Sequence, residues 1–110
     1  MNNRPIKFRA WDKKEKVMLI PPAIDNPERE DDEWVLMQFT GLLDKNGKEI
    51  WEGDIVKAEP KEWVPVVGTV EYIGAYYVVR AKTINHPIMN GMKSIIEVIG
   101  NIYENPELLK

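Results

Sequence analysis

A chain of 110 residues, 44% hydrophobic and 30% charged, builds one core, is too apolar to be disordered throughout, and leaves no room for a catalytic cleft between separate domains. It contains no cysteine, which excludes disulfides, thiolate nucleophiles and sulfur-ligated zinc. A net charge of −3 excludes a general polyanion binder.

Met1-Asn2-Asn3-Arg4-Pro5 leads into no apolar signal segment and the longest apolar runs are a handful of residues, so neither export nor a membrane span is expected, and the protein is expected to be cytoplasmic. Ile6-Lys7-Phe8-Arg9-Ala10-Trp11 alternates apolar and basic, which predicts a strand with Ile6, Phe8 and Ala10 on one face, the basic residues on a wet face and Trp11 opening the next turn. Asp12 to Lys16 is a connection of hairpin length, and Val17-Met18-Leu19-Ile20 returns as a strand ending at Pro21-Pro22. Residues 1–20 carry a balance of +4, whereas residues 21–33, with three prolines and six acids, carry −5. That second stretch reads as a mobile acidic loop, opposite in sign to the hairpin and suited to contact it within one subunit or across two.

Trp34 to Thr40 resumes as a strand, with Leu36 or Met37 facing a core. It opens the stretch around which the chain is organised, Gln38 to Val56, where Gly41, Gly47 and Gly53 each predict a tight turn packed on a core. Asn46-Gly47 predicts a type I′ hairpin, because both central positions need positive φ and these two residues tolerate it. Glu52-Gly53-Asp54 predicts a second bend, its acid able to accept from nearby backbone N–H groups before the run Ile55 to Glu59. The structural turns are therefore placed at Asn46, Gly47, Gly53 and Asp54.

Glu59 to Trp63 reads as a loop. Val64 to Tyr72 follows as a strand with Val66, Gly68, Val70 and Tyr72 on one face and Pro65 confined to an edge. Ile73-Gly74-Ala75 turns the chain, Tyr76 to Lys82 returns antiparallel, Thr83 to Gly91 is an irregular loop, and Met92 to Tyr103 is the last extended segment, bent at Gly100-Asn101. Asn105 and Pro106 predict one closing helical turn, as cap and first helical residue.

Little here reads as chemistry. His86 is the one histidine and sits in Asn-His-Pro, with no G-x-S-x-G elbow to serve, so it reads as a solvated loop residue. Asp44-Lys45-Asn46-Gly47 lacks the further ligands of a calcium loop. Glu49, Glu52 and Asp54 cluster in sequence and are the candidates for a shared metal or proton, weighed against caps and solvent-facing acids. Neither phosphate-cradling glycine motif is present. Tyr76, Tyr77, Arg80 and Lys82, with Tyr72 and Trp63 near them, form the candidate nucleic-acid surface, although tyrosine and tryptophan equally fill barrel ends and subunit interfaces.

Three separated blocks make a recognisable pattern. They are Ile6-Lys7-Phe8-Arg9-Ala10-Trp11-Asp12; Leu36 to Leu42 with Asp44 to Ile50 and Glu52 to Val56; and Glu97 to Leu109. In this order they resemble the YopX family of phage and prophage proteins, from end to end of the chain, while 17–33 and 57–93 carry no family signature. The resemblance implies a small, mainly β protein of phages and integrated phages, with no assigned activity and no established catalytic residue to carry over. Phe39 and Trp51 stand where many relatives are expected to have tyrosine, and both keep an aromatic.

Together these readings predict a mainly β fold over 1–110, an N-terminal hairpin lobe plus a small SH3-like bent β-barrel with few short helical turns. Strands and the acidic loop occupy 1–40, the hinge and barrel 41–104, and the closing turn 105–110. The function expected is that of a non-enzymatic, self-associating interaction module, without catalytic, cofactor or metal residues. Its partners are a second copy and a phage or host protein. A nucleic-acid-binding barrel and a metal-assisted hydrolase using Glu49, Glu52 and Asp54 are the alternatives.

Overall fold

The computed structural model describes residues 6–20, 34–59, 65–81, 85–88 and 95–109. The acidic stretch 21–33, Trp63 and Lys82 lie outside them. The fold is mainly β. One sheet has the order β2-β1-β3-β4, from strands β1 (Phe8–Asp12), β2 (Val17–Leu19), β3 (Trp34–Leu43) and β4 (Glu49–Trp51). The other, β8-β7-β6-β5-β9, uses β5 (Asp54–Ala58), β6 (Val66–Ile73), β7 (Tyr76–Arg80), β8 (Asn85–Pro87) and β9 (Ile96–Asn101), and curls into a half-barrel. A 3-10 turn, Pro106–Leu109, follows β9.

Pairing within both sheets is antiparallel, as short turns between strands require. Lys45-Asn46-Gly47 reverses the chain between β3 and β4, but not as a type I′ turn. Among the described residues Lys16 is the one non-glycine at positive φ, so Asn46 is not, while Gly47 is at +82°. Gly47 N–H donates to Asp44 O (3.0 Å) and Asp44 N–H to Lys48 O (2.8 Å), which is the three-residue hairpin loop with glycine in the left-handed position. Gly74-Ala75 joins β6 to β7 with positive φ at its first position alone, the type II′ pattern. Gly41 makes no turn. It lies inside β3 at φ 88°, where the register to β4 shifts, so it is a bulge that bends a ten-residue strand around both sheets.

The half-barrel core is Ile50, Val56, Ala58, Val70, Val79, Ile96 and Val98, with Leu42, Tyr77, Ile88 and Ile95 against it. Alternation supplies it: Val70 and Val79 are paired across β6 and β7 and so share a face. Each aliphatic side chain enclosed there contributes about 1.5–3 kcal/mol.

Several expectations are corrected. The wet-face expectation holds at Lys7, which is exposed, and fails at Arg9, which is 6% exposed because Arg9 and Trp11 face the other sheet; of the expected core face Ala10 is buried, while Phe8 is partly open and Ile6 exposed. Trp11 belongs to β1 itself, opposite Val35. The stretch around His86 holds β8, paired with β7, and is not wholly irregular. Asn105 does not cap the turn it precedes; its Oδ1 accepts from Asn101 N (3.2 Å).

Gly53, at φ 84°, turns the chain from β4 into β5, and a Cβ there would lie 2.8 Å from Met37 Sδ. Gly74 also needs positive φ but has nothing within 4 Å. Urea titration should therefore find Gly53→Ala destabilising by about 2–3 kcal/mol and Gly74→Ala by about 1 kcal/mol, conformational strain alone.

Candidate functional site

The three acids weighed for chemistry end up on three separate tasks. Glu49 pairs with Lys7 at the surface. Glu52 accepts through Oε1 from Gln38 N (2.6 Å), tying the Glu52-Gly53 turn to β3. Asp54, 2% exposed, accepts from Trp51 N through Oδ2 (2.7 Å) and from Arg9 Nη2 through Oδ1 (2.7 Å). No group of three His, Cys, Asp or Glu among the described residues is placed to hold a metal ion.

Arg9 and Asp54 form the main polar contact between β1 and the start of β5. Nη2 of Arg9 also donates to Glu52 O (3.2 Å), and its guanidinium carbon lies 5.2 Å from the centre of the Trp51 ring. Around the pair, Phe39 packs on Trp51 at 5.5 Å and Trp11 stacks on Tyr103 at 5.6 Å. Burial pushes the Asp54 carboxyl above the usual aspartate range against the pull of Arg9 and the Trp51 N–H, and burial likewise raises the Tyr103 phenol. The pair is buried beside the Trp51 ring and the backbone of the Glu52-Gly53 turn, and it ties β1 to the start of β5.

Asp44 is the second buried acid in the hinge and sequence reasoning missed its role. Its Oδ1 accepts from Asn46 N (2.8 Å) and Lys48 N (2.9 Å), and its Oδ2 from Val98 N (2.9 Å), clamping the hairpin to β9. Lys45 N adds a bond to Ile96 O (2.9 Å). Burial would raise the Asp44 carboxyl, but the three N–H donors and the Lys48 charge outweigh it, and the group is held below the usual range. An acid directly before the turn, followed by Asn-Gly, was the available signal.

The candidate nucleic-acid residues are divided. Tyr76 (66% exposed) and Arg80 lie on the outer face of β7, where Arg80 meets Glu71 on β6 (3.4 Å). Tyr77 is on the inner face, against the core and 4.9 Å edge-on from Tyr72. Adjacent strand residues point to opposite faces, so the alternation itself separates Tyr76 from Tyr77. At the tip of the ribbon, around Gly74-Ala75, Ile73 (41% exposed) is paired with Tyr76 on the outer face, while Tyr72 (54%) stands on the opposite face beside Tyr77. Further down, Val67, Thr69, Glu71, Arg80, Leu108 and Leu109 line an open groove of about 680 Å³. His86 pairs with Val79 in β8. No helix among the described residues is long and apolar enough to cross a membrane.

Fold and site together define a small two-sheet β protein in which the buried Asp44 and Asp54 tie one sheet to the other and Tyr76 stands exposed on the β6–β7 ribbon. The family model described as "YopX protein" matches residues 21–110, and the chain belongs to the YopX family. The first of the three sequence blocks, 6–12, precedes the matched residues. The chain is also similar to the crystal structure of protein EF1440 from Enterococcus faecalis, with 27% identity and a TM-score of 0.73, over 98% of this chain and 100% of that one. No curated protein matches.

Removing Arg9 leaves a buried carboxylate without its partner. In urea titrations Arg9→Met should cost about 3–5 kcal/mol, and the double variant Arg9→Met/Asp54→Asn, which removes the orphaned charge and keeps an acceptor for Trp51 N, should recover part of that. For Asp44, the depressed carboxyl contributes stability above the ordinary aspartate range that is lost as pH falls through the depressed value. The stability gap between the wild type and Asp44→Asn should therefore be full above the ordinary aspartate range and shrink as pH falls through and below that range, as measured by urea titration at stepped pH.

Proposed function

We propose that this chain is a non-enzymatic, phage-encoded interaction module that works in the bacterial cytoplasm as a homo-oligomer and engages a phage or host protein. Membership of the YopX family supports the setting. The observation that carries the reading is the tip of the β6–β7 ribbon, where Tyr72, Ile73 and Tyr76 stand exposed on ordered strands. Large aromatic and branched side chains clustered in water are the usual material of a protein contact, because each buries much surface at small cost in side-chain freedom. The buried acids of the hinge, by contrast, are engaged in holding backbone and Arg9.

Light scattering on the purified protein tests this. An assembly larger than one chain is expected, and Tyr76→Glu should dissolve it while leaving the melting temperature nearly unchanged, since that side chain is mostly in water. A strict monomer at high concentration removes self-association. The second reading, a nucleic-acid surface using Tyr76 and Arg80, gains support from their shared face and is opposed by Glu71 beside Arg80. It requires single-strand binding that falls steeply with salt and is weakened by Tyr76→Ala and Arg80→Ala.

A further inference from the structure

We infer that Asn46 is a self-modification site, one that converts to aspartate or isoaspartate through a succinimide at a rate restrained by the Asp44 clasp, and that the conversion loosens the hairpin from β9. Three observations place it. Asn46 is exposed, and its carboxamide is engaged by none of the described residues. Gly47, the residue that must supply the nucleophile, carries no side chain of its own, and apart from its two chain neighbours nothing lies within 4 Å of where a Cβ would stand. And the nucleophilic atom itself, Gly47 N, donates its proton to Asp44 O at 3.0 Å.

The chemistry needs water alone as co-reactant. Gly47 N, its proton lost to solvent base, attacks Cγ of Asn46; a C–N bond forms, the bond from Cγ to Nδ2 breaks, and the side-chain nitrogen leaves as ammonia. Water then opens the five-membered ring at one of its two carbonyls. One opening leaves an aspartate, the other an isoaspartate in which the backbone runs through the former side chain and is longer by one methylene.

In the hairpin, that first step is restrained by a specific bond. The Gly47 N–H is held by the backbone oxygen of Asp44, and Asp44 is fixed through its carboxylate to Asn46 N, Lys48 N and Val98 N. Attack therefore waits for the turn to open locally, and the rate follows the population of that opening. After conversion the closed turn no longer fits. An isoaspartate changes the spacing from Asp44 O to Gly47 N, and an aspartate puts a second carboxylate two residues from the first. Either weakens the tie from Asp44 and Lys45 to β9, and the change is one-way. The inference stands apart from self-association and uses none of its residues.

Peptide mapping by mass spectrometry tests it, on folded protein held at mildly alkaline pH and on the same protein in concentrated urea. The chain's other Asn-Gly pair, Asn90-Gly91, lies outside the described residues and is an internal reference for the intrinsic rate. A gain of one mass unit should map to Asn46 in the folded protein. It should proceed about tenfold or more slowly than in urea, where Asn46 and Asn90 convert at similar rates. Gly47→Ala should slow the urea reaction, and Asp44→Asn should speed the folded one. If Asp44→Asn does not fold, intermediate urea concentrations replace it, with the Asn46 rate rising ahead of global unfolding. Asn46→Asp should speed hydrogen exchange at Lys45 N and Val98 N. Equal Asn46 rates in folded and denatured protein, or no conversion at Asn46 while Asn90 converts fully in urea, would overturn the inference.

Discussion

The guanidinium of Arg9 and the carboxylate of Asp54 meet in a space closed off from water, and the relation between the two sheets depends on that meeting. One partner comes from the second residue of β1, the other from the first residue of β5. Two charges so enclosed are costly unless matched, so the only arrangement that keeps both is the one in which β1 lies over the β4–β5 turn. The same bond aligns the aromatic layer: with Arg9 fixed over Trp51, its neighbour on that face, Trp11, lies against Tyr103. Specificity of docking is the best account of why a charge stands here where an aliphatic residue would bury more cheaply.

Asp44 does comparable work at the other end of the hinge by a different means. It is surrounded by backbone donors from its own turn and from β9, with the Lys48 charge as a lesser contribution. Two of the acids in the Gln38–Val56 stretch are thus consumed in joining one sheet to the other. Exposed large apolar side chains of the described residues are spread over both sheets, with Ile6, Val17 and Leu36 on or beside the first and Tyr72, Ile73 and Tyr76 where the β6–β7 ribbon turns.

Much of this was legible in the sequence, for local reasons. Positive-φ glycines at Gly47, Gly53 and Gly74 and the alternation of Val66 to Tyr72 mark turns and strands because both depend on neighbouring residues alone. The strand at Phe8 to Trp11 shows where local reading ends. Alternation says that Arg9 and Trp11 share a face and that Phe8 and Ala10 share the other; it does not say that the face carrying a guanidinium is buried as fully as the one carrying Ala10. The deciding fact is the carboxylate of Asp54, 45 positions away in sequence. Gly41 misleads in a similar way, since positive φ serves a bulge as well as a reversal, and only pairing to β4 distinguishes them. The hinge acids looked like a cluster because they are close in sequence, but a tight turn sends adjacent side chains to different neighbours.

One edge of the half-barrel is β8, three residues long and ending in a proline that pairs with Val78. Proline brings no amide hydrogen, so an extended segment laid along that border would find almost no ladder to join. Templated growth from that border into fibres is discouraged by its brevity. Any contact made along that border runs through side chains, which can be discriminating in a way that backbone pairing is not.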